Sequence, residues 1–415
     1  MITLTKSAGI GGELKNEPED FTVKEITSRG FVLEPGRGYA AADLQEPESP
    51  EGKFTTFVLE KRNWETIRSI LEIAKRMGKG RKSIGYAGTK DKRSVSVQLA
   101  CIYGVEPANV SSVGIKDIKI NGAWKSDGIE LGSNLGNSFS VRVRGASNAG
   151  AIPLLIEELN GLFPDYFDRQ RFGYRLNNFR IGMSILNNDF EAAVMTFLTD
   201  SSNESDQEAV EARKTLAEEM DFQRATSYFP RHLRYERTMI DYLARYKNYA
   251  NAIRKIPRGI ALMFVHSVEA LIFNAALEDR IRSADLGSKL HCRKNFYGFP
   301  EPESASVGEE GFPLGLLIGY ETKDEYIGDY ENLIMEKLGI SKETFKIKGM
   351  PELSMKGTYR QLLSPFRDFS YSVKENDATL NFSIPTGAYA TIFLGEITKS
   401  NPLELSEIAP QLSQS

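Results

Sequence analysis

A mixed α+β fold is the architecture the sequence predicts, with one domain built from both chain ends and a largely helical insertion between them. Two observations lead there. Alternating apolar and polar residues mark strands before residue 150 and again near the C-terminus, whereas the apolar spacing between roughly 155 and 350 is helical. The length, 415 residues, is enough for two domains. The expected boundaries are 1–155 for the first part of the two-ended domain, 156–354 for the insertion and 355–415 for the returning part.

In chain order, Asn63 is placed to cap a helix carrying Trp64, Ile67, Leu71 and Ala74 at spacings of three and four, with Gly78 placed to end it. Val95, Val97 and Leu99 alternate with Ser94, Ser96 and Gln98, a half-buried strand pattern. Phe139, Val141 and Val143 repeat it, with Arg142 and Arg144 opposite. Helices are expected over 189–197, 208–220 and 261–277, and strands return in YSVKEN, TLNFSI and ATIFLGEI. The Pro- and Gly-rich segment 34–52 reads as a loop.

Composition removes several function classes. Cys101 and Cys292 stand far apart and only three histidines occur, so neither a disulfide framework nor a usual Cys/His zinc site can be assembled, and no metal is expected. The longest apolar run, 311–320, is ten residues and the N-terminus lacks a hydrophobic signal core. A cytoplasmic protein with reduced thiols and no membrane contact is the consistent reading. GKGRKS at 78–83 lacks the spacing of a phosphate loop, and no serine sits in a nucleophile elbow.

The net charge of −4 conceals a partition. Residues 61–93 carry a net +8 and residues 223–260 a net +7, the latter interleaved with tyrosines. RQRFGYRLNNFR at 169–180 has four arginines and no acid, while residues 200–221 carry a net −6. Cations beside aromatic rings suit a polyanion whose bases can stack, which points to nucleic acid. The basic stretches are expected to face one cleft and the acids to point away from it. Within the first stretch, GYAGTKDKRSVSVQ sets Asp91 among Lys90, Lys92 and Arg93 at a strand-flanking turn. Cations so close favour an ionised carboxylate, suited to act as nucleophile or electrostatic stabiliser and not as general acid.

AGTKDKRSVSVQ resembles the A-G-x-K-D-x6-Q signature of the TruD family of tRNA pseudouridine synthases. Four further segments resemble family elements in family order: LKNEPEDFTVKE from residue 14, GNSFSVRVR from 136, YFDRQRFG from 166 and IPTGAYATIFLGEI from 384. The resemblance implies a pseudouridine-synthase-like catalytic domain with a TRUD insertion, and isomerisation of uridine to pseudouridine in tRNA at position 13. It aligns the catalytic aspartate with Asp91 and the basic residue that pairs with it with Lys15. It places Phe21, Asn137, Phe139 and Tyr389 at the substrate, the aromatic residues holding a base that has left its stack. Lys90, Lys92, Arg93 and Arg171 are the candidate RNA contacts. No cofactor and no protein partner is implied; tRNA is the partner. Whether Asp91 adds to the sugar or to the uracil, or assists a glycal, stays open. Asp168 departs from the family's glycine, and Tyr389 adds a hydroxyl where some members have Phe. The rival readings are a non-catalytic RNA-binding protein and a nucleoside N-glycosidase.

Overall fold

In the computed structural model, the described residues are 1–288, 290–292, 311–400 and 403–413. Thirteen strands are described: β1 Phe21–Ile26, β2 Phe54–Arg62, β3 Ile84–Tyr86, β4 Val95–Tyr103, β5 Ile118–Ser126, β6 Gly136–Val143, β7 Leu162–Pro164, β8 His291–Cys292, β9 Phe312–Leu317, β10 Thr358–Gln361, β11 Leu363–Pro365, β12 Arg367–Lys374 and β13 Asp377–Pro385. The main sheet has the order β12-β13-β6-β1-β4-β2-β5, with β3 also paired to β4. Both chain ends therefore share one sheet: β13 pairs with β6 over eight residues, Phe382 opposite Phe139. All neighbours run antiparallel except β1 and β4, where Thr22 lies opposite Val95.

That parallel pair sets up the site. It places β4 in the middle of the sheet, covered on both faces, which explains one departure from the sequence pattern. β4 is buried almost throughout and not on alternate residues, because one face packs on the helix Thr66–Arg76 and the other on the segment containing Leu33, Tyr39 and Leu44. Ser96 and Gln98 are consequently buried polar residues. The helix begins at Thr66 after Glu65, and not after Asn63, which takes a left-handed φ of 54°. Its buried face is Ile70, Ile73 and Ala74.

The helical middle has its own core, gathered around the 25-residue helix Arg258–Arg282. By length and composition that helix could cross a membrane, but 78% of its most apolar window is buried in protein. Glu269 and Asn274 interrupt the apolar run, so counting uninterrupted residues did not reveal it. A small sheet, β10-β9-β8, which periodicity did not predict, joins this region to the start of the returning segment. ATIFLGEI is a helix, Ala390–Thr398, and not a strand: Phe393, Leu394 and Ile397 bury one face against the main sheet. Their spacing of one and three fits a helix as well as it fits a buried strand.

Candidate active site

Asp91 lies in the loop joining β3 to β4, and the loop is held from below. Gln98 on β4 donates to the Gly88 carbonyl at 2.9 Å, and the Thr66 hydroxyl, which donates to Gln98 Oε1, accepts from the Lys90 amide at 2.9 Å. Ser94 Oγ donates to the Asp91 carbonyl at 2.7 Å. The glutamine seven residues after the aspartate is thus the tie between strand and loop.

The carboxylate itself is held from the side. Lys15 Nζ lies 2.6 Å from Asp91 Oδ2 and 4.1 Å from the centre of the Phe21 ring. Lys15 adopts a φ of 60°, unusual for a side-chain-bearing residue, and so spends backbone strain to reach Asp91. The Asp91 side chain remains 42% exposed, open to a cleft of about 650 Å3. Val23, Asn137 and Phe139 of the main sheet line the cleft together with Asp168, Gln170, Arg171, Arg360 and residues 386–391. Phe139 stacks on Phe382 at 5.1 Å between ring centres, which fixes its plane. Asn137 Oδ1 is buried without a hydrogen-bond partner, an acceptor that the fold leaves unused.

Lys15, Asp91, Asn137, Phe139, Tyr389 and Arg171 therefore meet at one cleft. Two other expected residues take different parts. Phe21 is 1% exposed and lies beneath the Lys15 ammonium, outside the cleft wall, so it orients the lysine and offers no surface to a base. Lys90 lines the cleft, but its ammonium is buried against Glu25 Oε2 at 2.6 Å and not turned out to a phosphate, while Glu25 Oε1 accepts the Leu99 amide. Lys92 and Arg93 are exposed beside Asp91, with Arg93 donating to the Asn16 carbonyl.

The charge pattern needs the same correction. In the stretch 169–180, Arg169 pairs with Glu407, Arg180 with Asp200, and Arg175 is buried against the carbonyls of Phe197 and Asp200. Burial draws Arg175 down to about 10. Among the four arginines of that run, only Arg171 has a side chain with no hydrogen bond or ion pair among the described residues. No residue of 223–260 lines the cleft. Asp168, in place of a glycine, has an ordinary φ of −94° and accepts from Thr391 Oγ1, tying the insertion side of the cleft to the helix behind Tyr389.

Two functional residues escaped the sequence reading. Lys61, at the end of β2, is completely buried, and its Nζ donates to the carbonyls of Trp64 at 2.7 Å and Asp91 at 3.0 Å. Burial pulls this ammonium down to about 8, against the attraction of Asp91. Its signal was available: Lys61 shares the inward alternation of Phe57 and Leu59. Arg360 had none, since β10 carries no periodic pattern. It donates to the Asp165 carbonyl and carboxylate and to the Gly387 carbonyl, and stacks 4.1 Å from the Phe167 ring centre. Burial lifts Asp165 to about 6 even with Arg360 against it.

The family model for tRNA pseudouridine synthase D (TruD) matches residues 2–292 and 298–397. The chain belongs to the TruD family. It is therefore a tRNA pseudouridine synthase by family, an isomerase that converts uridine to pseudouridine. A relative from Methanococcoides burtonii named tRNA pseudouridine synthase D is 33% identical over 97% of this chain and 96% of its own length. One from Pyrococcus furiosus bearing the same name is 34% identical over 96% and 98%. The crystal structure of a TruD protein from Methanosarcina mazei superposes with a TM-score of 0.71 at 29% identity, covering 97% of both chains. That likeness supports the α+β fold of this TruD-family chain.

Proposed function

We propose that this chain isomerises a uridine at position 13 of tRNA, with Asp91 as nucleophile toward a base turned out of its stack into the cleft. The observation that carries the reading is the Lys15–Asp91 ion pair at the floor of a cleft walled by Phe139, Asn137 and Tyr389. Oδ2 takes the lysine, which leaves Oδ1 to the substrate. Phe139 and Tyr389 offer ring faces to the uracil, and Asn137 Oδ1 can accept from its N3–H.

The reaction breaks the bond between C1′ and N1, turns the uracil, and forms a bond between C1′ and C5. The C5 proton leaves and N1 gains one, so atoms balance without a co-reactant, and the reading calls for no cofactor. Attack at C1′, attack at C6 and assistance of a glycal all use the Asp91 carboxylate, and the choice among them stays open. Lys92, Arg93 and Arg171 are the cations that meet phosphates in this reading. The partner is tRNA and the setting is the cytoplasm; the reading requires no membrane and no protein partner. We further read 1–155 and 355–415 as one catalytic unit and 156–354 as the TRUD insertion, supported by the sheet that both chain ends share and by a second core that the middle region supplies in the main, with Leu362, Leu403 and Ile408 of the returning segment joining it.

Incubating the protein with tRNA and mapping pseudouridine tests the reading. Product at position 13 with the wild type and none with Asp91→Asn, at retained tRNA binding, is the expected result. Turnover near wild type in that variant would overturn the nucleophile assignment, and release of free uracil would replace the isomerase by a glycosidase.

A further inference from the structure

Beside the catalytic cleft lies a second cavity that the isomerisation leaves unused. It encloses about 430 Å3, and Arg171 and Arg360 line both spaces. The two arginines are unlike. Arg360 is fixed by Asp165 and Gly387. Arg171 lies 4.9 Å from the Phe167 ring centre, its Nε is buried without a partner, and none of its donors is taken by a described residue. A guanidinium seated over a ring with its side-chain donors untaken is prepared for an oxyanion such as phosphate.

The walls of the second cavity suit a base better than another phosphate. Tyr359 presents a ring that is 39% exposed. Glu269, on the helix Arg258–Arg282, lines the cavity with its carboxylate almost wholly buried, and His266 Nδ1 lies 2.8 Å from Oε2. Burial raises Glu269 above the ordinary carboxylate range, against His266 and Arg171. A buried carboxylate beside a base accepts from an exocyclic amine, as Asp and Glu do from cytosine N4; uracil offers a carbonyl at that place. The volume falls in the range of small-molecule sites and is ample for one nucleoside.

We propose that this cavity is a second nucleotide subsite, in which Arg171 grips the phosphate beside the isomerised uridine and Tyr359 and Glu269 take the neighbouring base, with preference for one carrying an exocyclic amino group. The proposal rests on the reading of the first cleft as the uridine site. Its ligand is single-stranded RNA continuous with the target, and its consequence is a sequence preference at one flanking position.

The test is a set of RNA stem-loops with a constant target uridine in which each flanking nucleotide is adenosine, cytidine, guanosine, uridine or abasic. The kcat/KM values are measured for the wild type, Glu269→Gln and Tyr359→Ala. At one flanking position the wild type should lose about tenfold or more when an amino-bearing base is replaced by uracil. Glu269→Gln should shrink that ratio to within about threefold while still forming pseudouridine. Tyr359→Ala, at the surface and with little risk to folding, should raise KM for every base while reducing the advantage of any base over the abasic RNA. Turnover that ignores both neighbours, or a preference unchanged in both variants, overturns the subsite and leaves the isomerase reading standing. Absence of pseudouridine with every RNA overturns the reading on which the subsite rests, and the subsite with it.

Discussion

The two long basic stretches, 61–93 and 223–260, have nearly the same net charge, yet they do different work. The first wraps Asp91, and two of its cations turn inward: Lys61 onto the carbonyl of Asp91 and Lys90 onto Glu25. The second lies on the helices of the middle region, and several of its cations are held there by neighbouring groups. Arg224 pairs with Glu219, Arg254 with Glu352, and Arg237 donates to the Phe229 carbonyl. Its tyrosines follow suit: Tyr242 and Tyr246 lie 4.8 Å apart between ring centres, and Lys255 sits over Tyr242. Charge density along a chain identifies a region that can meet a polyanion. Which cations are spoken for decides whether it does so at the active site.

Breaking the first region should be far more damaging than breaking the second. The largest effect belongs to Asp91→Asn, which should lower kcat by at least about 10³-fold, read in single-turnover assays, while tRNA affinity holds. Lys61→Met comes next. It removes the ammonium under the Asp91 carbonyl and lets the loop shift; a displacement on the scale of 1 Å costs about 10²-fold, so kcat should fall by that order with KM little changed. A pH profile separates this from mere loss of packing. With its proton held only up to about 8, Lys61 is charged below that pH and neutral above it. Wild-type kcat should therefore fall as pH rises through about 8, and the Met variant should lack that limb. An identical limb in both proteins would remove Lys61 from the explanation. Lys90→Met acts on stability instead, because it strands Glu25 as a buried charge without its partner. The expected cost is about 3–5 kcal/mol, seen as a lower denaturation midpoint.

How much of this was legible depended on whether function needed a residue's type or its partner. The two-ended sheet followed from alternation at Phe139–Val143 and at TLNFSI, since one buried face leaves a period of two. Asp91 and Lys15 were legible through their motifs. Lys90 misled because it stands in the same motif and differs from Lys92 only in facing inward, which depends on Glu25, 65 residues away. Phe21 misled in the same manner: a ring that supports an ammonium and a ring that holds a base have one sequence signature. ATIFLGEI was read as a strand because eight mostly apolar residues fit both periods, and the docking of Phe393 between Phe366 and Phe382 selects the helix. Arg360 could not be read at all, since its role is to join Asp165 to Gly387 across more than two hundred residues of chain.

The smallest expected effect sharpens the comparison most, because it concerns only exposed cations that carry no ion pair among the described residues. Lys92 and Arg93 are exposed and follow Asp91 directly in the chain, whereas Arg245 and Lys247 are equally exposed on the second stretch, no residue of which lines the cleft. Each phosphate contact that is lost should reduce the slope of log affinity against log salt by about 1. A Lys92→Ala, Arg93→Ala double variant should therefore bind tRNA with a slope shallower by about 2, and with affinity lowered uniformly across tRNAs. The matched Arg245→Ala, Lys247→Ala variant should leave the slope of the wild type unchanged, although it removes the same formal charge. Equal loss of slope in both variants would mean that RNA reads the whole basic surface, and the distinction between the two stretches would fall. A change confined to the first pair would show that phosphates follow the free cations at the Asp91 cleft, which are few, and not the larger number that the sequence displays.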